Sequence, residues 1–197
     1  MKKIIAAVVV VLMAALNANN AAAENLTNKL AISGRIGFTV PSDSEWQING
    51  PITGDTGLTF GVGLLYGVSR NLAAELEYTH SQYDLRYDRF TKDGTANVDD
   101  VSIGLQMRFP SRQVTPYLGA GVSILFNDYT DSDVNNTVGF NLKGGMDFFV
   151  TPQLALNGEL RMVLSPKADM NYRPVYDRGS FDPSSFFGLF GIRYFFN

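Results

Sequence analysis

Residues 29–40 read KLAISGRIGFTV. Leu30, Ile32, Ile36, Phe38 and Val40 fall on one side of a two-residue period, and Ala31, Ser33, Arg35, Gly37 and Thr39 on the other. A β-strand sends successive side chains to opposite faces, so this stretch reads as an amphipathic strand. The alternation returns near 56–67, 72–83, 98–109, 116–126, 137–149, 154–164 and 184–196, giving eight strands. Connections near 68–71, 110–115 and 150–153 are short, and those at 41–55, 84–97, 127–136 and 165–183 are long. Eight antiparallel strands joined in this way leave both termini at the short-turn end. Pro41, Pro51, Pro110, Pro116, Pro152, Pro166, Pro174 and Pro183 fall in connections or at a strand start. Proline has no N–H for a sheet ladder, so this placement agrees with the parse.

The rest of the chain narrows the class. Its 197 residues suit a single domain. It is 45% hydrophobic and 18% charged, with a mean hydropathy of -0.01. No stretch after the first residues is apolar over the roughly 18 positions that a spanning helix needs. Aromatics make up 12% of the chain, which argues against disorder. With no Cys, disulfides, thiolate zinc sites and iron–sulfur clusters are excluded. A formal net charge of -3 offers no electrostatic footprint for nucleic acid. Lys2 and Lys3, an apolar run over Ile4–Leu16 and Ala21-Ala22-Ala23 have the order of a secretory signal peptide. Cleavage after Ala23 is expected, leaving 24–197 as one barrel domain.

The two faces of the strands differ in chemistry. The positions assigned to the apolar face, which in the fourth segment start at Val101, include no Asp, Glu, Lys or Arg. The other face holds Arg35, Glu75, Glu77, Arg108, Lys143, Asp147, Glu159, Arg161 and Arg193. A soluble barrel of the lipocalin kind turns its apolar face inward, whereas an outer-membrane barrel turns it to lipid. Three features favour lipid. The charge-free faces are about as long as a tilted transmembrane strand. Tyr66, Phe109, Phe126, Phe148, Tyr194 and Phe196 stand at strand ends, as interfacial girdles require. The polar face sets bases against acids, with Gly61, Gly63, Gly119 and Gly121 leaving room for long side chains. The expected fold is therefore all-β: an eight-stranded antiparallel up-and-down transmembrane barrel. The sheet must close, because lipid satisfies no backbone group. Eight strands enclose a space that side chains fill, so a wide aqueous pore is excluded. In the last strand Phe187, Leu189 and Phe195 are expected to point inward.

Several stretches resemble a known family. Thr115-Pro116-Tyr117-Leu118-Gly119-Ala120-Gly121-Val122, followed by Phe126-Asn127-Asp128, resembles a strand of the small eight-stranded outer-membrane barrels of Gram-negative bacteria, most of all the outer membrane protein W family. Gly145–Leu154 resembles the strand–turn–strand that follows there. Gly191, Tyr194 and Phe196 resemble the C-terminal signal read by the barrel-assembly machinery, with departures at Leu189 and Asn197. The resemblance implies an outer-membrane location with both termini periplasmic. It also implies that machinery as a partner, and passage of small hydrophobic compounds.

Little else in the sequence suggests chemistry. His80, the single His, has Ser81 beside it and Asp84 nearby. Neighbouring strand residues point to opposite faces, so His80 and Ser81 form no nucleophile–base pair. The barrel lipases and deacylases resemble one another in a His-x-Ser spacing, where this chain has Gln82. An interfacial His at the outer rim is expected, and no enzyme. One His gives no multi-His zinc site. The segment starting at Asp131-Ser132-Asp133 fails as a calcium loop, with Asn136 and Leu142 where Gly and Glu are needed. No cofactor is expected. Loop bases Arg86, Arg89, Lys92, Lys167, Arg173 and Arg178 suit lipopolysaccharide phosphates. Loop aromatics Trp46, Tyr87, Phe90, Tyr129 and Tyr172 suit adhesion or loop packing. The leading expectation is a monomeric barrel in outer-membrane lipid, structural or a narrow passage for small molecules, hydrophobic ones included. A surface-interaction protein acting through its long loops is the alternative, and a lipid-modifying enzyme comes third.

Overall fold

The structure is a computed structural model. It describes residues 26–196 apart from 43, 47–49, 88–89, 112, 130–132 and 172–177. The expected signal peptide, Asp131, Ser132, Arg89, Arg173, Tyr172 and Asn197 lie outside the described residues, as do the side chains of Trp46, Arg86, Tyr87, Phe90, Lys92, Tyr129 and Arg178.

In chain order the strands are β1 (Leu30–Pro41), β2 (Ser44–Trp46), β3 (Gly50–Gly54), β4 (Gly57–Gly67), β5 (Leu72–Tyr87), β6 (Phe90–Arg108) and β7 (Val114–Tyr129). Then come β8 (Asp133–Val134), β9 (Thr137–Phe149), β10 (Leu154–Leu164), β11 (Ala168–Asn171), β12 (Arg178–Phe181) and β13 (Ser185–Phe195). Eight long strands pair antiparallel around a ring: β1–β4–β5–β6–β7–β9–β10–β13. The ring closes where β13 pairs with β1, with Ile36 opposite Phe190. No ladder edge is left along the wall, which is what crossing a bilayer demands.

The expected faces are those observed. Phe140 is 70% exposed on the outside of the wall, Ile103 and Phe190 65%. Such a continuous apolar surface is untenable in water and suited to lipid. Inside, Arg108 and Arg193 are 0% exposed and Arg161 1%. Two short turns are pinned by hydroxyls: Ser69 Oγ accepts the Leu72 N–H at 3.2 Å, and Thr151 Oγ1 accepts the Leu154 N–H at 3.0 Å. Side-chain oxygens of this kind stand in for a backbone turn bond.

The structure corrects the long connections. The stretch 84–97 is no loop: β5 continues to Tyr87 and β6 resumes at Phe90, with a register shift between Leu85 and Tyr87. The physical reason is an inversion of polarity. Below this level the charged and most of the polar side chains point inward and the outward ones are apolar. Above it Tyr83, Ala96 and Val98 turn inward and are buried, while Gln82 and Asp84 are exposed outside. The strands pass from lipid to water, and the apolar face changes sides with the solvent. The other long connections also contain strand. Ladders β5–β3, β3–β2, β2–β12, β12–β11 and β11–β8 form a crown beyond the membrane band. Pro51 accordingly lies within β3, and Pro41 closes β1.

At the short-turn end the chain before β1 folds back under the barrel. Leu26 is buried with Ala31, Leu65, Ala73, Ala155 and Phe195, and Phe149 packs against them. Asn28 makes the bend with a φ of 63°, a left-handed conformation that Asn tolerates. Its N–H donates to Gly67 O at 2.8 Å. A Cβ on Gly67 would sit 1.8 Å from Leu26 O, so only glycine admits this close approach.

Candidate functional site

All nine charged residues singled out from the sequence face the lumen and are buried. They are joined by Asp100, which lies on the inner face of β6 two positions from Ser102 and is 2% exposed. Five bases and five acids therefore share the interior among the described residues. Strand parity alone places Asp100 inside: it lies within the segment 98–109 at the same parity as Ser102, though it is not among the nine charges singled out from the sequence.

The contacts form one connected network. Glu75 is its hub: Oε2 accepts from Lys143 Nζ at 2.6 Å and from Gln106 Nε2 at 2.7 Å. Its Oε1 accepts from Arg193 Nη2 at 3.1 Å and Arg35 Nη2 at 3.4 Å. Glu77 faces Lys143 at 2.9 Å, Arg35 at 3.1 Å and Arg161 at 3.2 Å. Arg35 also donates to Glu159 Oε2 at 2.7 Å, and the Tyr117 hydroxyl donates to the same oxygen at 2.7 Å. Toward the short-turn end Asp147 accepts from Arg193 at 2.7 Å, from Asn157 at 2.7 Å and from Arg108. Toward the crown Arg161 Nη2 donates to Thr79 Oγ1 at 2.7 Å, and its Nη1 lies 3.6 Å from Asp100.

Aromatic rings complete the packing. The Arg108 and Arg193 guanidinium groups lie 5.3 and 5.4 Å from the Tyr117 ring centre, and that of Arg161 lies 5.0 Å from Phe187. Guanidinium stacks favourably on such faces. Small residues make the space. A Cβ on Gly63 would meet Ser33 Oγ at 2.8 Å and Arg35 Nη2 at 3.0 Å, and one on Gly119 would meet Lys143 Cγ at 2.9 Å. Gly191, named from the sequence in an assembly signal, faces inward beside Arg35, whose Cγ would lie 2.8 Å from an added Cβ. Tyr194 and Phe196 stand outside, each 44% exposed, with their rings 5.1 Å apart edge to face.

Buried apolar clusters flank the charged zone on both sides. Phe195 and Leu26 belong to the lower one; Tyr83, Val98, Leu125, Val163, Phe187 and Leu189 form the upper one. Counting charges in the sequence missed Gln106, Tyr117 and Asn157, which are neutral yet hold the acids in place. Their inward parity was the available signal.

His80 does not join Ser81 or Asp84. Ser81 Oγ points inward and lies 3.0 Å from Thr59 Oγ1, and Asp84 accepts from Thr95 at 3.1 Å. His80 instead meets Asp99 across the β5–β6 ladder.

A closed wall of eight strands, apolar outside and filled inside by a neutralised charge network, defines a small outer-membrane β-barrel. The family model described as outer membrane protein beta-barrel domain matches residues 8–175, and the chain belongs to that family. Solved structures share the fold. OprG from Pseudomonas aeruginosa superposes with a TM-score of 0.72 at 16% identity, over 87% of this chain and 97% of that one. The outer membrane protein AlkL gives 0.56 at 17% identity over 91% and 94%. Neisserial surface protein A gives 0.56 at 16% identity over 85% and 97%. Nothing among the curated proteins compared matches the chain. The chain is thus a small outer-membrane barrel, the class that its alternating strands predict.

Proposed function

We propose that this barrel is structural: a membrane anchor sealed to ions and polar solutes, with its short-turn end periplasmic and its crown extracellular. The observation that carries this reading is the lumen itself. Each of its five bases and five acids lies within 3.6 Å of an opposite charge, between two apolar layers. Moving an ion through would require parting buried, paired charges, each at a desolvation cost of several kcal/mol. Where the sequence left a structural barrel and a narrow passage open, the network favours the first. In this reading the chain is a monomer, has no catalytic role, lies against lipid and lipopolysaccharide, and enters the membrane through the assembly machinery.

A second reading, a surface-interaction protein, has one observation in its favour. The long connections pair into a crown with a buried apolar layer beneath it, and an ordered sheet of this kind presents a fixed surface. Planar-bilayer recording of the purified protein tests the first reading, with no stepwise conductance expected. Reproducible ohmic channels would overturn it. For the second, excising 41–55 or 165–183 should abolish attachment to a partner surface, and unchanged attachment would refute it.

A further inference from the structure

On its crown side the charge network changes character. The acids below are each held by direct donors: Glu75 at 2.6 Å, Glu77 at 2.9 Å, and Asp147 and Glu159 at 2.7 Å. Asp100 is not. It is 2% exposed, yet neither of its carboxylate oxygens accepts a hydrogen bond. The cation beside it is Arg161, also buried, whose Nη1 lies 3.6 Å from Asp100 Oδ2. That separation exceeds a direct hydrogen bond. Arg161 donates from Nη2 to Thr79 Oγ1 at 2.7 Å, whereas its Nη1 and Nε donate to nothing. Asn141 Oδ1, buried too, has no donor either, although its Nδ2 donates to Ser123 Oγ at 3.0 Å.

The ladders bring these atoms to one level of the lumen. Asp100 lies opposite Thr79 and Leu125, and diagonally from Ser123. Ser123 faces Gly139 on β9, and Asn141 stands diagonally from Arg161 on β10. The inward positions around Asp100 (Thr79, Ser102, Ser123 and Gly139) are small, so the strands leave room between the two charged side chains. A buried charged group left without partners carries a large desolvation cost. A water molecule relieves such a cost where two to four polar partners converge, and it commonly bridges polar groups just beyond direct reach.

We infer that a structural water molecule sits between Asp100 and Arg161. It accepts from Arg161 Nη1, donates to Asp100, and turns its second O–H toward Asn141 Oδ1. Charged guests suit the place less well: a cation would face the guanidinium and an anion the carboxylate, whereas water both donates and accepts. The network then has two parts, a directly paired body and a hydrated joint beneath the crown. This site goes beyond the sealed-barrel reading and stands whether or not the lumen conducts.

Diffraction from crystals of the folded protein, at a resolution that shows ordered water, tests this without any variant. Density for a water within about 2.6–3.2 Å of both Asp100 and Arg161 Nη1 is expected. A direct Asp100–Arg161 hydrogen bond with no density between the two would overturn the inference. In lipid vesicles, water-edited solid-state NMR reads the same contact through the Thr79 methyl group. Magnetisation should pass from water to that methyl in the unsubstituted chain. The transfer should be lost in the double variant Asp100→Leu/Arg161→Met, which removes one acid and one base and keeps the lumen neutral. That variant should retain the different migration of heated and unheated samples. No transfer in the unsubstituted chain, or transfer unchanged in the folded double variant, would overturn the inference too.

Discussion

Removing the charge of Glu75 should cost the barrel a large part of its stability. The carboxylate accepts from Lys143 at 2.6 Å, Gln106 at 2.7 Å, Arg193 at 3.1 Å and Arg35 at 3.4 Å, and its side chain is 1% exposed. Three of those four partners are cations. Glu75→Gln keeps the shape but leaves five bases against four acids in a space without bulk water. Removing one partner of a buried ion pair typically costs about 3–5 kcal/mol, because the remaining charge stays buried and unpaired. Lys143→Met in the same chain restores the balance, since Lys143 pairs with Glu75 and Glu77. The double variant should therefore lose less than the sum of the single losses, with a coupling of at least about 1 kcal/mol. Urea unfolding in lipid vesicles measures this, with the folded fraction read from unheated gel samples and from circular dichroism. A loss below about 1 kcal/mol for Glu75→Gln would refute the argument from neutrality. So would additivity of the two substitutions to within roughly 0.5 kcal/mol.

Other outcomes follow from the same structure. Gly191→Ala places a Cβ 2.0 Å from Gly34 O and should cost about 1–3 kcal/mol in the same unfolding assay, whereas Gly34→Ala points into open space and should cost under about 0.5. Ile103→Arg, at the middle of the lipid-facing side of β6, should cost about 2–4 kcal/mol in vesicles, and His80→Arg at the rim about 0–1; equal costs would contradict the membrane placement. Folded protein kept unheated in SDS should migrate differently from boiled protein, and identical migration would argue against a closed barrel.

Much of the fold was legible because strand periodicity is local. Each segment from Leu30–Val40 onward states which side faces lipid without reference to its neighbours, and closure follows from the needs of a backbone in hydrocarbon. The same parity put Arg35, Glu75, Arg193 and the other lumen charges inside. What escaped did so for physical reasons. Val98 and Tyr83 are inward and apolar, so the rule that held within the membrane band ended the strands too early where water replaces lipid. Gln106, Tyr117 and Asn157 carry no charge, and their part appears only as distances of 2.7–2.9 Å to charged partners. In sequence His80 has Ser81 and Asp84 for neighbours, whereas its partner is Asp99, 19 positions away.

The sequence by itself determined the class: alternation, a bare apolar face and the absence of any second spanning apolar run leave an outer-membrane barrel with a filled interior. Register decided the rest. Only the pairing of each strand with its neighbours brings Glu75 to Lys143, 68 positions apart, and Arg35 to Glu159, 124 apart. Only that pairing sets His80 beside Asp99. Alternation fixes the face a side chain points to, a property of two consecutive residues. Which charge it meets there depends on the stagger of eight strands around a closed ring, a property of the whole chain.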